Sequence, residues 1–467
     1  MRLRFIACAV LTSSTAGGLL ACGGGDDSAP PARAPVADAG PSSDATSDAT
    51  TVDAQALIEA GDGAVAETGA DAEGASAADA SVASRLLLSF NGGTQSELVA
   101  FGLDSKQVDG RLTYPGFIGT TAIGPKAPWL LEQANDVVAR LEPAQPWKIA
   151  SSWNVSLNDG PDGGGSYSDP DAIIVGAADK AYVLRYTRNE IAVIDPAGDG
   201  GSAIAAIDLG GELQAAGDGT VEMSAGVYVP SKRLVYVLLG NVNRHDVADD
   251  GYTLLCANTH ATVVAIDVAT DTLVDLNGSA AGSGLALTGY NPSFGTGAMA
   301  YDAESDRLLI LENGCNQVIP AGADAGDGGD ASTATTVGPL VGREVEELSL
   351  FTGETRTLLD LTQTGEFPSQ LIYIDARRAI LQLYSTYTWD PTTPALGPAI
   401  PNAPDSFAYD GAANLLGVSA IYGADGGLSG YDVQSVRIAD GKVTKLGSNP
   451  FSLVSGFLSG AQLWPAP

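Results

Sequence analysis

Basic residues and histidines are scarce in this chain. Lys and Arg number 23 against 56 Asp and Glu, and 467 residues hold two histidines, His245 and His260. The net charge of −33 repels nucleic acid and anionic lipid, so neither is expected as a direct partner of the folded part. Two histidines without tight His/Cys spacing give no zinc centre, and no metal centre is expected from them. Long amphipathic helical patterns are missing, only 17% of residues are charged, and Gly and Pro reach 58 and 25. That combination excludes a helical bundle and points to an all-β domain of many short strands and turns. Enzyme signatures are absent as well. There is no Gly-x-Ser-x-Gly, no His-Glu-x-x-His, no Gly-x-x-x-x-Gly-Lys and no sialidase-type Ser-x-Asp-x-Gly-x-Thr-Trp.

What is there begins with a targeting segment. Residues 1–22 open with Arg2 and Arg4, run mostly apolar or small from Phe5, and end Leu19-Leu20-Ala21-Cys22. The run is too short, and too broken by Thr-Ser-Ser-Thr and Gly-Gly, for a membrane span, so it reads as a signal peptide. Its last four residues resemble the lipobox of bacterial lipoproteins. The resemblance implies cleavage before Cys22 and lipidation of its thiol, a palmitate-type anchor that would make a membrane the N-terminal partner. Gly23 stands where some bacteria carry an inner-membrane retention aspartate. The expected place is therefore the cell envelope, at the outer membrane of a Gram-negative bacterium. Residues 23–84 are almost wholly Ala, Asp, Gly, Ser, Thr and Pro, with Ser-Asp-Ala-Thr written twice at 43–50. Large apolar side chains are too few to offset backbone ordering, so this stretch is expected to be a disordered tether.

From residue 85 the pattern changes. Val263-Val264-Ala265-Ile266-Asp267, then Val-Ala-Thr-Asp, then Thr-Leu273-Val-Asp-Leu276 reads as strand, polar turn, strand. Ile191-Ala-Val-Ile-Asp195 repeats it. Apolar strands that would precede such a unit fall at Leu86–Phe90, Pro128–Glu132, Ala181–Tyr186, Arg233–Leu239, Arg307–Glu312, Arg378–Leu383 and Asn414–Val418. Seven repeats of up to four strands predict a seven-bladed β-propeller over 85–467, since radial repetition shields sheet edges. The first repeat lacks a preceding strand, and Val454–Leu463 is expected to supply it and close the ring. Between Leu383 and Ser406 four prolines leave no clear strand, so blade six is expected to be degenerate. The 263–276 unit also resembles the repeat of YVTN-type propellers of exported bacterial proteins. That likeness implies the fold and a binding surface, because functions vary widely on this scaffold.

Cys256 and Cys315 would lie between the second and third strands of neighbouring blades, on one face. In an oxidising compartment the spacing predicts a disulfide between them. The same connections look long at 240–261, 313–343 and 384–405, which enlarges one sector of that face. It would carry Asn241, Asn243, Arg244, His245 and Tyr252, then His260 and Gln317, then Tyr384, Tyr387 and Trp389. Aromatics beside amides suit a protein, peptide or glycan ligand. Asn158, Asp162 and Asp169 echo a calcium loop, with Gly160 failing as the third ligand. Calcium is accordingly the one cofactor left open. The reading is a monomeric, lipid-anchored envelope propeller acting as a non-catalytic binding or scaffolding module. The alternative is a hydrolase or lyase using channel carboxylates, with or without calcium.

Overall fold

The computed structural model describes residues 83–92, 94–119, 122–157, 168–248, 253–256, 259–278, 283–293, 295–319, 336–453 and 456–465. The expected lipidation site Cys22, the tether up to residue 82, Tyr252, Asn158 and Asp162 lie outside the described residues. No helix among the described residues is long and apolar enough to cross a membrane.

Seven sheets form a β-propeller. Blade 1 holds Arg85–Asn91, Gln95–Gly102 and Gln107–Pro115; blade 2 holds Ala122–Ile123, Pro128–Glu132, Val137–Glu142 and Gln145–Asn154. Blade 3 runs Pro170–Ala177, Lys180–Arg185, Glu190–Ile194 and Ala205–Asp208. Blade 4 runs Met223–Val229, Leu234–Leu239, Thr262–Asp267 and Thr272–Val274, with Leu285–Ala286 as a second outer piece. Blade 5 comprises Met299–Asp302, Arg307–Ile319, Thr336–Ser349 and Thr355–Asp360. Blade 7 comprises Ser406–Tyr409, Asn414–Tyr422, Leu428–Arg437 and Val443–Ser448. The last strand, Phe457–Trp464, pairs antiparallel with Arg85–Asn91 and completes blade 1, as expected.

The strands read as apolar runs because both faces of every blade are covered. Successive side chains on a strand point to opposite faces. Leu86, Leu88 and Phe90 pack with Val418 and Val433 of blade 7, while Leu87 between them packs with Leu130 and Ala139 of blade 2. Five further cores fill the remaining interfaces, between blades 2 and 3, 3 and 4, 4 and 5, 5 and 6, and 6 and 7. Seven blades with seven dry interfaces make a closed ring. The first strand of blades 2 to 7 is the inner one, and Phe457–Trp464 takes that place in blade 1: Pro170–Ala177 touches Met223–Val229, which touches Met299–Asp302.

Two expectations about connections are corrected. Blade six is complete: Thr386–Trp389 pairs with Arg378–Gln382, and Leu396–Ala399 pairs outside it, beyond the inner Gln370–Asp375. Pro391 and Pro394 sit in the turn, whose Thr392 amide donates to Asp390 at 2.9 Å. Pro398 lies in the edge strand, the one place in a sheet where a missing N–H is tolerated. The stretch 384–405 is therefore no insertion. Likewise, 313–319 and 336–343 are not loop but the extension of blade 5's central hairpin. Of the three expected insertions, 240–261 in blade 4 is the one whose described residues lie outside the second and third strands throughout. Antiparallel order sends these connections and the blade-to-blade connections to the same end of the ring, the upper face.

Candidate functional site

The blade 4 loop is tied to blade 5 by the expected disulfide, Cys256–Cys315, across 59 residues of sequence. Leu255 bridges Asn316 in parallel beside it. The tie brings Asn241, Asn243, Arg244, His245, His260 and Gln317 to one sector of the upper face. His245 and Gln317 are exposed. His260 is gripped through its backbone by Gln214, and its ring lies tilted 4.5 Å from that of Tyr290. Beside the disulfide, Val242, Asn243, Leu254 and Tyr290 line a small hollow of about 10 Å³.

The blade six aromatics do not join this sector as predicted. Trp389 is 2% exposed and fills the core between blades 5 and 6. Tyr387, two residues earlier on the same strand and so on the same face, packs against that core. Only Tyr384, at the hairpin tip, is open to solvent, at 89%. The reason is the overlooked strand: residues assigned to a loop alternate into a core instead.

A buried polar cluster occupies the inner edge of the same face in blades 3 and 4. Asp169 and Asp171 flank the start of the inner strand Pro170–Ala177, and Glu222 stands just before the inner strand Met223–Val229. Tyr186 directly follows blade 3's second strand, its backbone N–H donating to the Asp169 carbonyl at 2.9 Å. Asn241 follows blade 4's second strand, its backbone N–H donating to the Val221 carbonyl at 3.1 Å. Asp169, Glu222 and Asn241 all have left-handed backbones, with φ of 54°, 51° and 48°. Each such residue costs on the order of 1 kcal/mol and persists where its surroundings over-determine it.

Arg244 organises the charge. Its Nε lies 2.8 Å from Asp218 and 3.0 Å from Glu222, its Nη2 donates to Thr220, and its guanidinium sits 5.7 Å over the Tyr186 ring. Glu222 turns its other oxygen to the Val242 amide. Burial pushes the Glu222 carboxyl up to about 8, with Arg244 only partly opposing it. Asp171 is pushed up to about 8, by burial first and then by Asp169, against a hydrogen bond from the Gly295 backbone. Burial also lifts the Tyr186 hydroxyl well above its ordinary value. Asp218 goes the other way: burial pulls it up, but hydrogen bonds from Arg244 and Thr220 hold it low. Asp171 Oδ2 and both amide atoms of the fully buried Asn241 make no hydrogen bond. At neutral pH the cluster thus presents the Arg244–Asp218 ion pair, two carboxyls held near 8 and a side-chain amide with spare donors and an acceptor. Such a set can hydrogen-bond a polar ligand, and the two carboxyls hold protons to give.

Sequence reasoning found Asn241 and Arg244 and missed Asp171, Tyr186, Asp218 and Glu222. Its one usable signal was positional: Asp171 and Glu222 open consecutive inner strands. Asp169, the described member of the expected calcium loop, is 4% exposed within this cluster. Among the described residues the one grouping of three close potential metal ligands lies elsewhere, at Glu312, Glu344 and Glu346.

No protein-family model matches the chain, and no curated protein matches its sequence. Solved structures do resemble it. A functionally unknown protein from Desulfotomaculum acetoxidans is 10% identical, with 82% of this chain and 99% of that one covered and a TM-score of 0.46. The Pseudomonas aeruginosa periplasmic gluconolactonase is 12% identical, with 82% and 99% covered and a TM-score of 0.44. The β-propeller domain of Myceliophteria thermophila Cps50 (Swd1) is 10% identical, with 78% and 97% covered and a TM-score of 0.42. The seven-bladed fold rests on the chain's own sheets, and one of these neighbours is itself a β-propeller domain.

Proposed function

We propose that the chain is a lipid-anchored propeller of the bacterial cell envelope that binds a polar ligand, a protein, peptide or glycan, without transforming it. The site is the upper face of blades 3 to 5. The observation that carries this reading is the fully buried Asn241 side-chain amide, with no hydrogen bond on either atom, three residues before Arg244 in the same loop. Buried polar atoms are nearly always paired, and those left over at a braced surface suit a ligand that completes them. The anchor is Cys22, with residues 23–84 as the tether; the YVTN-like repeat supports an exported protein.

The test is in-cell photo-crosslinking from His245 and Gln317, with mass spectrometry of the adducts. A reproducible partner whose yield falls about tenfold in Arg244→Ala is expected, the loss of one charge-assisted contact being worth 1.5 kcal/mol or more. A partner captured equally well by Arg244→Ala would sink the site. Fractionation of wild type and Cys22→Ser checks the anchor, since wild-type protein found outside the membrane fraction would refute it. A hydrolase or lyase is the second reading, favoured by Asp171 and Glu222 both held near 8, where a general acid keeps its proton at neutral pH. Turnover of the captured ligand that stops in Asp171→Asn would select it.

A further inference from the structure

Blade 5 breaks its own pattern where its central hairpin reaches the upper face. Along the stripe facing blade 4, Leu308 and Ile310 are followed by Glu312, and across the ladder Leu348 is followed by Glu346 and then Glu344. Period-two alternation puts all three glutamates on the face that is otherwise dry core. Glu312 and Glu344 are direct register partners, and like charges facing each other across a ladder are destabilising. Exposure is 0% for Glu312, 9% for Glu344 and 0% for Glu346.

Two of the three have neutral hydrogen-bond partners. Glu346 accepts the Thr288 amide at 2.9 Å and the Gly289 amide at 3.0 Å. Glu344 accepts the hydroxyls of Thr288 at 3.1 Å and Thr357 at 3.0 Å. Glu312 has none on either oxygen, although it is wholly buried and aimed at the other two. Its placement is close, for a Cβ on Gly289 would fall 1.1 Å from Glu312 Oε2, so any larger residue there would push the Glu312 carboxyl aside. No basic side chain pairs with the three among the described residues. The adjacent Arg343 turns away, donating to the carbonyls of Asn313 and Glu366 and lying 4.0 Å over Phe367.

One oxygen from each glutamate lies within 4.8 Å of the others. Oxygens sharing a calcium ion at roughly 2.3–2.6 Å can be no more than about 4.6–5.2 Å apart, a condition these separations meet, and a contraction of a few tenths of an ångström would close all three on one ion. Carboxylates without His or Cys favour a hard cation over zinc. A buried site that leaves little room for retained water favours calcium over magnesium.

We propose that Glu312, Glu344 and Glu346 form a calcium site that clamps the Thr288–Gly289 connection onto blade 5. The site is independent of the ligand cluster around Arg244. It braces the same sector as the disulfide, by charge instead of covalently.

The experiment uses the full chain stripped with EDTA and returned to chelator-free buffer at physiological ionic strength. Calcium chloride is expected to raise the thermal midpoint by several degrees, saturably, whereas magnesium chloride at equal concentration does much less. Glu312→Gln should weaken the calcium response at least tenfold. Without calcium it should melt at or above the stripped wild type, because one of three repelling carboxylates is gone. No response in wild type, an equal response to magnesium, or a full response in Glu312→Gln each overturns the site. If Glu312→Gln does not fold, Glu344→Gln is read the same way. Metal analysis of wild type after gel filtration then decides: about one calcium per chain supports the clamp, and none refutes it.

Discussion

Asp171 carries a stability cost that an asparagine would not. Its carboxyl is held at about 8 in the fold, against about 4 in an unfolded chain. Between those values the folded state binds a proton that the unfolded state has released, so stability falls as pH rises. The contribution is fully favourable below about pH 4 and is lost progressively towards pH 8. Glu222 at about 8 and Glu132 at about 7 act in the same direction. Asp171→Asn keeps an acceptor for the Gly295 amide and removes one such penalty. It should match wild type near pH 4 and be more stable at pH 8 by on the order of 1–2 kcal/mol, a discount on the full linkage for relaxation around the charge. Urea midpoints at the two pH values check this, and parallel curves would show that Asp171 is ionised in the fold. A natural chain that keeps such an acid keeps it for its chemistry, in line with its place in the candidate site. No local pattern in the sequence marks Asp171 or Glu222, which are two among 56 acids. Their difference from the rest is burial and a left-handed neighbour or backbone, and both are set by the ring.

At the scale of elements, legibility followed dryness. Pro128–Glu132 has the bounds the residues suggest, because a strand covered on both faces reads as one apolar run. Thr386–Trp389 and Leu396–Ala399 are half-buried, diluted with Thr, Gly and Pro, and so read as loop. That single misreading carried Tyr387 and Trp389 into the expected ligand face. The cysteines were easier, since two thiols on equivalent connections of neighbouring blades have one simple fate. Their bond ties the described parts of the blade 4 loop to the blade 5 hairpin across 59 residues. Loop-closure entropy gives such a link a worth of about 2–4 kcal/mol. The Cys256→Ala, Cys315→Ala double variant should lose that much in urea unfolding, and it should lose partner capture from Gln317 before it loses the ring. A variant with unchanged midpoint and unchanged capture would make the disulfide incidental to both.

At the scale of the whole molecule, stability depends on a strand contributed by the far end of the chain. Phe457–Trp464 pairs with Arg85–Asn91 over nearly its full length. It places Ala461 and Leu463 in the core between blades 1 and 7, and Trp464 in the core between blades 1 and 2. Burying a large apolar side chain contributes roughly 1.5–3 kcal/mol. Leu463 and Trp464 alone thus account for several kcal/mol, against the 5–15 kcal/mol that typically separates a folded domain from its unfolded chain. The loss would also leave the inner edge of Arg85–Asn91 unpaired. Deleting 454–467 should therefore abolish the single cooperative transition, with circular dichroism and tryptophan fluorescence melting apart. Adding the peptide 456–467 in trans should bring the two probes back together, since the open edge it pairs with is preformed by Gln95–Gly102. A truncated chain that melts once, at the wild-type midpoint, would mean that the ring is held by its six remaining full blades and that closure by the last strand is dispensable.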